Sequence, residues 1–332
     1  MTRPSTATPF VLLDDARDEG AAPARLYTDP VEIITTREVK RVPELLATLK
    51  SHKAHVAGFI AYEAGHGLEP RLSHLVSNSA DDAPPLLWFG VFEGYQEIAP
   101  AAVADLFPDP SGGWIGTPTP RISGAAYEAA LNTVNDYIIA GDIYQANLTF
   151  ACDVPLMGDP LAIYAGLRTR AKAGYGGIVW TGEDMLLSLS PELFFALKDG
   201  KLTTKPMKGT AMRGRDPASD AVAVAKLQSD PKQRAENLMI VDLLRNDLSR
   251  VAVPGSVAVP QLFHVETYPT VHQMTSTVTA RLREGVDEVD VISTIFPCGS
   301  ITGAPKIRAM EVIDEVEAAP RGAYTGSIGR ID

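Results

Sequence analysis

Apolar residues in this chain are gathered into short runs closed off by Gly, Pro, Ser and Asp, and helical stretches fall among them without regular alternation. That pattern argues for an α+β protein with large, mainly antiparallel sheets and helices packed outside them. Residues 56–62, Val-Ala-Gly-Phe-Ile-Ala-Tyr, and residues 86–92, Leu-Leu-Trp-Phe-Gly-Val-Phe, are apolar and aromatic and read as buried strands. Residues 42–49 ahead of them have helical spacing, and the polar stretch 77–85 ends in Pro-Pro and reads as a loop. Residues 1–25 are mixed and poorly periodic and read as a tail, with 26–118 as an amino-terminal subdomain. Residues 108–120, rich in Gly, Ser, Thr and Pro, fit either a boundary between subregions or a long hairpin loop inside one domain.

Beyond residue 118 the signals sharpen. Ser123 can cap a helix in which Tyr127, Leu131, Val134 and Ile138 form an apolar stripe, with Gly141 as its stop. Residues 142–153 and 186–197 read as strands. A second helix starts at Asp230-Pro231, runs to about Asn246 and buries Leu238, Val241 and Leu244. Residues 271–282 read as a strand, a third helix runs from Gly303-Ala304-Pro305 to near Glu317, and 323–331 form a last strand. No G-x-G-x-x-G follows a strand, no P-loop motif is present, and no period of 20–50 residues recurs.

Charge and cysteine content narrow the function classes. The net charge is −11, so phosphate backbones and anionic lipid headgroups would repel the chain, and neither nucleic acid nor a membrane is the expected partner. Two cysteines are too few for a disulfide framework and suit a reduced, cytoplasmic compartment. The start lacks the apolar core of a secretory signal, and no run approaches the roughly 18 apolar residues of a membrane span.

Four local features can carry chemistry. Glu192 sits in Ser-Pro-Glu-Leu-Phe-Phe beside an apolar run, where partial burial would keep a usable proton at neutral pH; a surface Glu at a strand start fits as well. Lys208 lies in Pro206-Met207-Lys208-Gly209-Thr210, where Gly lets backbone approach a ligand and a desolvated lysine becomes a nucleophile; a solvated loop lysine is the plainer reading. Glu236 stands near the start of the second helix, as a Mg²⁺ ligand or simply as a charge favoured by the helix dipole. Residues 297–306, Pro-Cys-Gly-Ser-Ile-Thr-Gly-Ala-Pro-Lys, form a hydroxyl-rich turn opening a helix, either an anion site or an ordinary capped helix start.

Together these segments resemble the chorismate-utilising enzymes: anthranilate synthase component I, aminodeoxychorismate synthase component I, and the isochorismate and salicylate synthases. The matching pieces are Asp142-Ile143-Tyr144-Gln145-Ala146-Asn147-Leu148, Ser190-Pro191-Glu192-Leu193-Phe194, Lys208-Gly209-Thr210, residues 236–247, residues 299–306 and Tyr324-Thr325-Gly326-Ser327-Ile328-Gly329, in the family's order. The resemblance covers about residues 120–332, and Tyr62-Glu63-Ala64-Gly65 is similar to the amino-terminal part of the aminodeoxychorismate branch. Anthranilate synthases carry Ala where this chain has Lys208, and isochorismate and salicylate synthases place a base lysine where it has Gln145.

The resemblance implies an α+β chorismate-binding catalytic domain over 119–332 and amination of chorismate at C4 to 4-amino-4-deoxychorismate. It implies Lys208 as nucleophile and Glu192 as acid. Gly209, Thr210, Thr302 and Tyr324 would hold the substrate's carboxylate or enolpyruvyl group, His272 would stand near the ring, and Gln145 and Asn147 would complete the binding set. Mg²⁺ is the implied cofactor, with Glu236 among its ligands, and a glutamine amidotransferase chain is the implied ammonia source. Family members usually continue past this point with a helix carrying paired Glu ligands, so the catalytic domain is expected to lack its carboxyl-terminal end. Gln233 also stands where anthranilate synthases tend to carry Glu. The alternatives are anthranilate synthase component I and a truncated chain that binds without catalysis.

Overall fold

The computed structural model describes residues 3–52, 54–75 and 78–332, so Met1, Thr2 and Ser77 of the segments above lie outside the described residues. The chain forms two units: residues 1–135, 148–191 and 314–332 make the first, and residues 136–147 and 192–313 the second.

The first unit holds a five-stranded sheet in the order Met185–Ser190, Tyr175–Trp180, Phe10–Asp14, Ala24–Thr28, Gln96–Ile98. Its second large sheet has four strands in the order Ser327–Ile331, His55–Ile60, Leu87–Phe92, Glu32–Thr36. All pairings in both sheets are antiparallel. The first 25 residues are therefore not a tail. Phe10–Asp14 is the central strand of the five, and its run of apolar residues follows from burial on both faces. Phe10 and Leu12, with Leu26 and Ile178, pack on Leu161 and Tyr164 of the Pro160–Ala171 helix. Val11, Tyr27 and Val179 pack on Ala57, Phe59, Trp88 and Phe92 of the four-stranded sheet. A strand buried on both sides shows no alternation, and five residues give periodicity little to work with.

Residues 108–120 lie inside the first unit. Gly113–Ile115 pairs with Leu156–Gly158 and Thr119–Pro120 with Cys152–Asp153, so the stretch is one arm of a ribbon, the hairpin alternative rather than a boundary. Among the described residues, no helix is long and apolar enough to cross a membrane.

The second unit is built on the strand Val271–Arg281, which pairs with Lys201–Lys205, Met207–Met212 and Ala258–Thr267. Leu193–Lys198 extends the sheet beyond Lys201–Lys205. The helices Pro231–Ser249 and Glu288–Ile295 cover it with Val241, Leu248, Val291 and Ile295 against Leu202, Val278 and Ala280. The first of these helices buries Val241 and Leu244 as expected, together with Asn237, Ile240, Asp247 and Leu248, whereas Leu238 faces outward. Residues 142–153, expected as one strand, form only the short pieces Gln145–Ala146 and Cys152–Asp153.

Because Leu12 is fully buried at the centre of a two-sided sheet, Leu12→Ala is expected to lower the unfolding free energy by about 2–5 kcal/mol in urea titration. Ser5→Ala, on the exposed start, should change it by less than about 0.5 kcal/mol.

Candidate active site

The run 186–197, expected as one strand, is broken at Pro191. Proline has no N–H for the ladder. Met185–Ser190 ends before it in one sheet, and Leu193–Lys198 begins after it in another. Glu192 is left outside both ladders, so its carboxyl is not committed to a sheet face. Ser300 Oγ donates to Glu192 Oε1 at 2.6 Å. Burial pushes the Glu192 carboxyl above the ordinary glutamate range, while the Ser300 hydroxyl, the Lys208 charge and the Met207 N–H hold it partly down. A half-buried carboxyl with a raised value is suited to donating a proton near neutral pH.

Lys208 lies in the strand Met207–Met212, where the register against Val271–Arg281 shifts between Met207 and Thr210. This bulge leaves Lys208 and Gly209 out of the ladder and re-aims the lysine. Gly209 has φ +104°, and a Cβ there would lie 3.0 Å from Gln233 Oε1 and 3.1 Å from Met274 Cβ. The bulge also frees the Lys208 carbonyl, which needs a donor. Asn237, 1% exposed, supplies it: Nδ2 donates to Lys208 O at 3.2 Å and to Met274 O at 3.3 Å, and Ser276 Oγ donates to Asn237 Oδ1 at 2.6 Å. Thr210 Oγ1 donates to Gln273 Oε1 at 2.9 Å on an exposed part of the same strand. Glu192, Lys208, Gly209 and Thr210 are thus held around one bulged strand.

Gln145–Ala146 pairs with Gly303–Ala304, and Asn147 N donates to Thr302 O at 2.8 Å. Only glycine permits this approach, because a Cβ at Gly303 would stand 2.1 Å from Gln145 O. The Thr302 hydroxyl is turned inward, donating to Cys298 O and Gly299 O at 3.2 Å each. Gln145, Asn147 and Thr302 therefore share the segment that delivers Ser300 to Glu192. Lys306 anchors the far side of that segment, with Nζ 2.5 Å from Asp247 Oδ2 and donating to Ile295 O at 2.7 Å.

Three other expected site residues are placed differently. His272 is 1% exposed, with Nε2 2.8 Å from Asp220 Oδ1 and Nδ1 2.9 Å from Thr267 Oγ1, so both ring nitrogens are engaged inside the protein. Tyr324 belongs to the first unit and is 61% exposed, on a turn held by Glu63, which accepts from Arg321 N at 2.6 Å and Gly322 N at 3.0 Å. Glu236 is partly exposed and 3.9 Å from Lys232. Among the described residues, no three His, Cys, Asp or Glu side chains are grouped to hold a metal. Asp242 pairs with Arg245 and Asp247 with Lys306, so neither joins Glu236. The residues described do not fit a Mg²⁺ site.

Ser300 and Asn237 escaped the sequence reading. Ser300 stands in a turn noted for its hydroxyls, but nothing in the sequence ties it to a carboxylate 108 positions away. Asn237 had a legible signal, a polar residue in register with Ile240, Val241 and Leu244 on the buried stripe.

Residues 8–332 match the chorismate binding enzymes, and the chain belongs to that family. Aminodeoxychorismate synthase component 1 of Klebsiella aerogenes is 47% identical over 209 residues, covering 63% of this chain and 46% of the relative. The protein of the same name from Escherichia coli K12 is 45% identical over 203 residues, covering 61% and 45%. Anthranilate synthase component 1 of Methanothermobacter marburgensis is 41% identical over 208 residues, covering 63% and 45%. The chain thus spans less than half the length of these relatives. Anthranilate synthase component I from Streptococcus pneumoniae TIGR4 superposes with a TM-score of 0.75 at 24% identity over 99% of this chain and 82% of that one. A putative 2,3-dihydroxybenzoate-specific isochorismate synthase from Bacillus anthracis gives 0.75 at 19% identity over 98% and 82%. These two likenesses establish the α+β fold.

Two outcomes follow from the geometry. Gly209→Ala is expected to cost about 1–3 kcal/mol in denaturant unfolding, since Ala at positive φ is strained, and Gln233→Ala in the same chain should restore only part of it. Glu192 favours the folded state while protonated. That contribution is complete below its ordinary value of 4.5 and is lost as pH rises through the raised value. Glu192→Gln is therefore expected to melt above the parent at pH 8 and close to it at pH 4.

Proposed function

We propose that the chain aminates chorismate at C4, giving 4-amino-4-deoxychorismate for p-aminobenzoate and folate synthesis. The observation that carries this reading is Lys208, on a bulge that leaves it out of its ladder, acting electrostatically on Glu192, a half-buried carboxyl that accepts from Ser300 and whose proton affinity burial raises. The relatives named aminodeoxychorismate synthase component 1 support it.

In this reading the Lys208 nitrogen adds to C2 of chorismate. Both conjugated ring double bonds shift, away from C2 and toward C4, the C4–O bond breaks, and Glu192 gives its proton to the departing hydroxyl, which leaves as water. Ammonia then forms the new bond at C4, both double bonds shift back, the C2–N bond to Lys208 breaks, and the proton that the ammonia nitrogen loses restores Glu192. The proton lost by the lysine nitrogen on addition is regained on departure. Gly209 lets backbone N–H groups approach the substrate's carboxylate, with Thr210 beside it. A positioned acid contributes about 10²–10⁴-fold. Mg²⁺ is the cofactor the resemblance implies, but among the described residues no carboxylates group around an ion. A glutamine amidotransferase chain would supply ammonia, and a cytoplasmic setting belongs to the same reading.

The test is incubation with chorismate and ammonium at mildly alkaline pH, with products identified by mass spectrometry. Aminodeoxychorismate should form, and in the absence of ammonium the protein should gain the mass of chorismate less water. Lys208→Ala should show neither, and Glu192→Gln should lose about 10²–10⁴-fold in rate. Aminodeoxychorismate formed by Lys208→Ala at the parent rate would overturn the nucleophile assignment.

A further inference from the structure

Glu192 faces a set of groups from several elements. Lys208 and the Met207 N–H come from the bulged strand, and Ser300 and Cys298 come from the turn at the start of the Gly299–Thr302 helix. Beyond the turn stand Lys306 and its partner Asp247. Of these, Ser300 donates to Glu192 Oε1, at 2.6 Å and 3% exposed, and the Met207 N–H also bonds the carboxyl.

A hydroxyl has one hydrogen, and Ser300 has two polar neighbours. Cys298 Sγ lies 3.2 Å from Ser300 Oγ. Burial, with the Glu192 charge, pushes the Cys298 thiol up to about 12, so it keeps its hydrogen and can donate it to Ser300 Oγ. The single Ser300 hydrogen is then committed to Glu192 Oε1. Cys298 is itself held by packing with Ile240 and Leu244 of the long helix, so the donor pair has a rigid backing.

We propose that Cys298 and Ser300 form a two-member hydrogen-bond relay, thiol to hydroxyl to Glu192 Oε1, which makes Ser300 a positioning residue that sets how readily Glu192 gives up its proton. The relay also opposes the effect of burial, keeping the carboxyl able to lose its proton as well as hold it. The consequence for the reaction rests on the reading of Glu192 as the acid; the relay itself does not.

The experiment follows the Glu192 carboxyl directly, by carbon-13 NMR of the full chain labelled at glutamate Cδ, with Glu192→Gln identifying its resonance. Ser300 favours the ionised form, so Ser300→Ala is expected to move the Glu192 midpoint upward by about 0.5–1 pH unit, with Ser300→Thr restoring it. Cys298→Ala should move it in the same direction by less. Should Ser300→Ala fail to fold, Ser300→Cys, which keeps the volume and weakens the donor, is expected to give a smaller upward shift. A midpoint unchanged in whichever of these two variants folds overturns the relay.

Turnover with chorismate and ammonium is measured across pH on the same proteins. The alkaline limb, where protonated acid is lost, should rise with the NMR midpoint. A midpoint that moves while the limb stays fixed supports the relay and removes Glu192 from the acid role, so the two ideas fail separately.

Discussion

The bond from Asn237 to the Lys208 carbonyl is the interaction on which the rest of the second unit's chemistry depends. A bulge re-aims a side chain only by withdrawing backbone groups from the ladder, and a withdrawn carbonyl inside a protein needs a donor. Asn237 answers two carbonyls with one amide and is fixed in turn by Ser276 from the neighbouring strand. The long helix therefore does more than cover the sheet. It carries the polar group that makes an irregular strand stable, and the irregular strand is what frees the lysine.

Glu192 is placed by the opposite device. There the chain has no ladder to withdraw from, because Pro191 stops one strand and the next begins in another sheet. The carboxyl emerges in the interval, where burial raises its proton affinity and three groups, the Ser300 hydroxyl, the Lys208 charge and the Met207 N–H, offset that rise. The acid and the amine are thus positioned by two local failures of regular pairing, each with its own physical repair.

Much of this was legible in the sequence, and the remainder was hidden for identifiable reasons. The helices Val42–Leu49 and Pro231–Ser249 and the strand Val271–Arg281 follow from periodicity and capping. The strand Phe10–Asp14 did not, because burial on both faces erases the alternation by which strands are recognised. The break after Ser190 follows from Pro191, but the apolar residues on either side masked it. Glu192 and Lys208 stood out by residue type and neighbourhood. Their supports, Ser300 and Asn237, are distant in sequence and ordinary in composition, and only the three-dimensional arrangement connects them. His272 shows the converse: a histidine that invites a functional reading is held at both nitrogens by Asp220 and Thr267.

The interleaving of the two units has a consequence for synthesis. The central strand Phe10–Asp14 pairs with Tyr175–Trp180, and His55–Ile60 pairs with Ser327–Ile331. The first unit thus lacks its last strand until residue 331 has left the ribosome, whereas the main body of the second unit, 192–313, has emerged before then. Pairings of such long sequence separation form slowly and leave apolar faces open while they wait. In the nascent chain the five-stranded sheet has all its strands once residue 190 has emerged and the sheet that bears the lysine once residue 281 has, whereas the four-stranded sheet, although begun at residue 32, is the last to be complete.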